Sequence, residues 1–233
     1  MKLDIRRSSE RGHANHGWLD SHHSFSFADY YDPKHMGFRS LRVINEDRVA
    51  PGGGFPSHPH RNMEIFSYVI NGTLEHKDSM GNGRRLTPGQ IQLMSAGTGV
   101  THSEFNPSST EAVHFLQIWI APKQNGLTPN YSEWHPTPDT ENSSKVLVIS
   151  ADGRDGSARI QQDADVYRIR LAAGESIEHA LRPGRGLWLQ MIFGTATAHE
   201  CQLKAGDGAS TERAGNFALH ASAATEALLF DLG

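Results

Sequence analysis

The chain has 233 residues, of which 37% are apolar and 21% charged, and its formal net charge is −4. This is the composition of a folded globular protein rather than a disordered one. No run approaches the roughly 20 apolar residues that span a bilayer, and no cluster of Lys and Arg marks a nucleic-acid surface, so neither membrane insertion nor direct nucleic-acid binding is expected.

The first residues alternate charge and contain no apolar signal core, so a cytoplasmic protein is expected. Cys201 is the single cysteine and can form no intramolecular disulfide, in keeping with a reducing compartment. Further along, residues 41–45, 64–70, 90–94 and 113–120 are short apolar runs rich in β-branched and aromatic side chains. Turn residues separate them: Pro51 with three glycines, Asn71-Gly72, Gly81-Asn82-Gly83 and Pro88-Gly89. Asn71-Gly72 between two such runs predicts a hairpin. No long segment has a 3.6-residue period, so helices should be few and short and the fold an antiparallel β sandwich or barrel. Residues 124–145 are rich in Pro, Asn and Ser, and 131–145 is read as a linker between lobes 1–130 and 146–233. Strand-like runs resume at 145–149, 166–171, 187–193 and 226–230. The second half resembles a worn copy of the first: Gly72-Thr73 matches Gly194-Thr195, Gly89 matches Gly206, and Ala96-Gly97 matches Ala214-Gly215.

Fourteen histidines against 22 Lys and Arg make metal binding worth testing. In an extended strand, residues two apart point the same way. His58 and His60 therefore present two imidazoles to one side, their Cα atoms about 7 Å apart. His102 and Glu104 form a second such pair. On facing strands the two pairs supply three imidazoles and a carboxylate, and an octahedral ion held by them keeps two positions open. Iron, nickel, manganese, cobalt, copper and zinc all accept such ligands. Glu64 is the alternative carboxylate. A straight strand carries it about 20 Å from His58, although a bend after His60 would bring it back. The other histidines are read as surface or packing residues, among them His13, His16, His22, His23 and His76.

His58-x-His60-x3-Glu64 with Gly72 resembles the first cupin motif, and Gly89 onward to Ala96-Gly97, His102 and Asn106 resembles the second. The longer stretches from Arg11 to Ser21, His58 to Glu64 and Ser95 to Glu104 resemble the pirin family, in particular its short bacterial members described as quercetin 2,3-dioxygenases. The likeness is close over residues 10–131 and general beyond. It implies an all-β bicupin of two tandem antiparallel barrel lobes, with one iron-type site in the N-terminal lobe. The acid is the one beside the third histidine, so Glu104 joins His58, His60 and His102, with Fe(II) as the preferred divalent ion. The implied activity is dioxygen-dependent opening of a flavonol ring with loss of CO. Glu104 would accept the substrate's hydroxyl proton. Glu64, Gln117 and Phe55 are expected behind the ligands or along the substrate pocket. The implied partners are a small aromatic substrate and O2, and the chain is expected to be a monomer. A metal- or redox-sensing regulatory protein that acts through a protein partner is the alternative. In the second lobe, the offsets from Gly194 and Gly215 reach Ala180, Arg182, His220 and Ser222, so that lobe should hold no metal.

Overall fold

A computed structural model covers residues 1–233. It is built of strands, with one four-residue α-helix, Pro138–Glu141, and two short 3-10 turns. The helix is started by Thr137, whose side chain accepts from the Thr140 N–H, and by Pro138 at its first position. No helix is long and apolar enough to cross a membrane.

The chain forms two compact units, one of residues 12–136 with 158–162, the other of residues 1–11, 137–157 and 163–233. These boundaries differ from the expected 1–130, 131–145 and 146–233. Asp4–Arg6 pairs with Gly208–Thr211 in the second unit (Asp4↔Ser210). Arg7 and Ser8 also bind the Asp207 carboxylate there, at 2.8 and 2.7 Å. The supposed linker contains the strand Asn130–Trp134, which pairs with Ile91–Ser95 and covers what would otherwise be an open sheet edge. Residues 158–162 return to the first unit, where the Gln161 carbonyl accepts from the Lys123 N–H at 2.8 Å.

Each unit consists of a large and a small antiparallel sheet, the two-sheet form of the expected all-β cupin lobe, and the sheets do not close into a barrel. In the first unit the large sheet runs Asn130–Trp134, Ile91–Ser95, Glu64–Asn71, Val113–Ile120, Leu41–Val49, Leu19–His23, Gly12–Asn15. The small sheet runs Gly54–His60, Val100–Phe105, Leu74–Asp78, Gly83–Leu86. The hairpin expected at Asn71-Gly72 does not form. Glu64–Asn71 belongs to the large sheet and Leu74–Asp78 to the small one, so the turn carries the chain across the sandwich. Gly72 has φ +80°, and a Cβ there would lie 2.8 Å from the Ala112 carbonyl oxygen.

The second unit repeats this plan. Gly194 makes the same crossing at φ +81°, with the Ala224 carbonyl oxygen 2.1 Å from a Cβ position. Gly89 N–H donates to the Val69 carbonyl at 2.8 Å, and Gly206 N–H to that of Met191 at 3.1 Å. Both the left-handed conformation and the contact disfavour a side chain at Gly194. Gly194→Ala should cost about 2 kcal/mol or more and exceed Gly72→Ala. Urea unfolding of the two variants checks this, and equal stability of Gly194→Ala and the native chain would contradict it.

Register settles which residues correspond between the units. Four residues after the crossing glycine, His76 pairs with Glu104 and Ala198 with Leu219. His102 pairs with His58, and Phe217 with His179. His58, His60, His102 and Glu104 thus correspond to His179, Leu181, Phe217 and Leu219. The loop before the second unit's strand is three residues shorter than assumed, so Gly215 matches Val100 and not Gly97, and His220 is no counterpart of a ligand. Leu181, Phe217 and Leu219 belong to one continuous apolar core. His179 is tied by Nε2 to Asp231 at 2.8 Å.

In the first unit the apolar core is split. Val69 and Phe115 belong to one cluster, Ile65 and Met94 to another that Trp119 packs against. Between them a polar row crosses the large sheet: His23↔Asn45↔Gln117↔Ser67↔Gln92. From Asn45 to Gln92 its counterparts in the second unit are Tyr167, Leu229, Leu189 and Ala209.

Candidate metal centre

The end of Gly54–His60 and the start of Val100–Phe105 are hydrogen-bonded neighbours, with Val100 opposite His60 and His102 opposite His58. Alternation then brings three imidazoles together. Their ring centroids lie 4.5 to 4.8 Å apart, and their ligating atoms lie within 4.8 Å of one another. His58 Nδ1–H donates to the Pro56 carbonyl at 2.7 Å, which in the neutral ring leaves Nε2 with a free lone pair. That Nε2 lies 3.1 Å from Nε2 of His102. Two nitrogens bonded to one ion at about 2.1 Å and at a right angle are about 3 Å apart, so the pair is spaced as ligands of a single metal would be.

Two of the rings, His60 and His102, are held in the protonation state a ligand needs. Burial first, and the neighbouring imidazoles second, hold His60 and His102 down to about 3. Both are neutral at physiological pH and offer lone pairs. Trp119 packs edge-on against His60 with centroids 4.9 Å apart. Nδ1 of His102 faces Nε2 of the fully buried His76 at 3.1 Å. For His102 to ligate through Nε2, its Nδ1 must carry the proton and donate it to His76, which fixes both tautomers. Burial lowers His76 as well, so it is a neutral acceptor. Tyr131 stacks on its other side at 5.6 Å.

Glu104 is buried beside this group, 1% exposed. Its Oε1 accepts from Ser67 Oγ at 2.8 Å and its Oε2 from Gln117 Nε2. The carboxylate is thus turned to the polar row of the large sheet and is not one of the three mutually close donors. Each oxygen keeps a further lone pair, so the residue retains the capacity to be a fourth ligand.

Of these groups His58 and Glu104 line a cavity of about 350 Å³. His58, Glu104 and Gln117 border it on the metal side, and Phe55, Phe27, Tyr30 and Trp119 supply aromatic wall. Phe27 and Trp119 meet at right angles with centroids 5.4 Å apart, and Trp18 braces Phe55 at 5.2 Å. Ser21, His23, Asn45 and Asp47 add a polar patch to the lining. Within it Ser21 Oγ donates to Asp47, and His23 Nδ1 pairs with Asn45 Oδ1 at 2.8 Å.

Residues 4–120 match the Pirin family, and residues 147–232 match the Quercetinase C-terminal cupin domain. The chain belongs to the pirin family. It is 48% identical over 228 residues to a quercetin 2,3-dioxygenase of Escherichia coli strain K12, covering 98% of this chain and 97% of that protein. Among solved structures, YhhW from Escherichia coli superposes with a TM-score of 0.96 at 47% identity, over 100% of this chain and 98% of the other. The bacterial pirin YhhW from Escherichia coli in complex with nickel(II) gives 0.94 at 47% identity, over 99% of both chains.

In this pirin the residues expected around the site divide. Phe55 and Gln117 line the cavity. Glu64 does not line it. Its Oε2 accepts from Ser95 Oγ at 2.6 Å and from the Gln161 N–H at 3.1 Å, so it anchors the returning segment 158–162 rather than orienting a histidine. Burial raises its pKa. His76 was read as ordinary, yet it touches a candidate ligand. The sequence carries a signal for it: in Leu74–Asp78 the core residue Leu74 is two positions before His76, so alternation turns both inward. Ser67 and Gln92 lie inside the apolar runs 64–70 and 90–94 and show their role only when strands are paired.

Proposed function

We propose that this pirin is a metal-dependent dioxygenase that opens the heterocyclic ring of a flavonol such as quercetin with O2, releasing CO and a depside. The reading is carried by three imidazoles that converge beside a buried carboxylate, with His58 and Glu104 lining an aromatic-walled cavity. It is supported by the relatives named quercetin 2,3-dioxygenase. His58, His60 and His102 hold the ion and Glu104 completes the set. Fe(II) is the preferred ion, and nickel(II), present in the YhhW complex, is the second choice. A divalent metal held by these residues would supply positive charge that favours the deprotonated form of the flavonol hydroxyl.

The chain's own groups do the rest. Phe27, Phe55 and Trp119 offer faces and edges to flat aromatic rings and keep water from them. Glu104 takes the substrate hydroxyl proton on a carboxylate oxygen. Ser67 and Gln117 hold that carboxylate in place from the opposite sheet. His76 fixes the ring of His102. In air, protein loaded with Fe(II) or Ni(II) should bleach quercetin. Without oxygen, or after chelation, the absorbance should persist. Turnover that survives complete metal removal would overturn the reading, as would no turnover of any flavonol by the loaded protein.

A further inference from the structure

The pairing of side chains two residues apart that builds the His58 centre occurs a third time, on the opposite face of the large sheet. In Leu19–His23 the buried positions are Leu19, Ser21 and His23, so Asp20 and His22 share the other face. The edge strand Gly12–Asn15 places His13 directly opposite His22. The two imidazoles stack with centroids 4.4 Å apart and 19° between planes, nearly the 4.5 Å that separates His58 and His102. Asp20 Oδ1 lies 2.6 Å from His13 Nε2. One ligating atom from each of the three residues lies within 4.8 Å of the others.

We propose that His13, Asp20 and His22 form a second divalent-metal site. Two imidazoles and one carboxylate suit a borderline ion such as Zn2+, Ni2+ or Cu2+ and not Mg2+ or Ca2+, which take oxygen ligands. The His13 and Asp20 side chains are 52% and 38% exposed, so water completes the coordination. The proton shared by His13 and Asp20 leaves Nε2 when the ion enters, either for Nδ1 or for solvent. With three ligands and open access, this site binds more weakly than the buried centre.

The test does not depend on the dioxygenase reading. Full-length protein carrying its first metal equivalent is titrated with Zn2+ by calorimetry, and one further equivalent should bind. His22→Asn and Asp20→Asn should each weaken that step roughly tenfold or more, with the first equivalent unchanged by elemental analysis. His135→Asn is the control, because His135 pairs with a single carboxylate at 2.7 Å and has no second imidazole in the group. It should leave the second step intact. Absence of a second equivalent in the native chain, or a second step as tight in His22→Asn as in the native chain, would overturn the proposal.

Discussion

Alanine in place of His58 is expected to strip the tightly held metal and lower quercetin turnover about a hundredfold or more. His58 is partly exposed and contributes no core packing, so the loss should come without unfolding, which thermal melting will show. The two candidate carboxylates should then separate. Glu104→Gln removes the charge from a group clamped between Ser67 and Gln117 and turns one acceptor into a donor. It should weaken metal binding and abolish turnover. Glu64→Gln keeps an oxygen for the Ser95 hydroxyl and the Gln161 N–H and should leave the metal in place. Elemental analysis of the three variants decides. Full metal in His58→Ala, or loss of metal in Glu64→Gln with retention in Glu104→Gln, would refute the assignment.

Replacing Asp47 by Asn should stabilise the protein, and the gain should grow with pH. Burial pushes the Asp47 carboxyl from 3.8 up to about 7, the charges of Glu104, Glu46 and Asp20 add to this, and the Ser21 hydroxyl opposes it. Between those values the folded chain keeps a proton that the unfolded chain has released. Stability therefore falls as pH rises through the window, by up to about 1.4 kcal/mol per unit, and stays low above it. Asn bears no such cost and still accepts from Ser21. The difference between variant and native chain should rise from near pH 4, level off above pH 7, and reach at most about 4 kcal/mol. Urea unfolding of chelator-treated protein across this range measures it, and a difference that does not vary with pH would show that Asp47 is not held protonated.

Side-chain alternation is a local rule, and everything that rests on it was legible along the chain. His58 with His60 and His102 with Glu104 needed only the assumption of extended backbone. The turns at Gly72 and Gly89 were likewise local, because a left-handed residue is selected by its own sterics. What a turn connects is a different matter. Asn71-Gly72 has the chemistry of a hairpin but crosses between sheets, since Leu74–Asp78 finds its partners at Val100–Phe105 and Gly83–Leu86. The same limit hid the three-residue difference between the repeats, which only strand register reveals.

Pairing between distant strands also made the site more than its ligands. Asn45, Gln117, Ser67 and Gln92 are scattered polar residues in apolar runs until the sheet aligns them into one row. That row receives Glu104 from the opposite sheet, splits the core of the first unit, and is replaced by Tyr167, Leu229, Leu189 and Ala209 in the second. Asp20 and His22 are two apart in the sequence, but His13 joins them only because an edge strand pairs His13 with His22. Spacing along a strand tells which side chains share a face. Which faces meet depends on hydrogen bonds between segments tens of residues apart, and no local pattern encodes them.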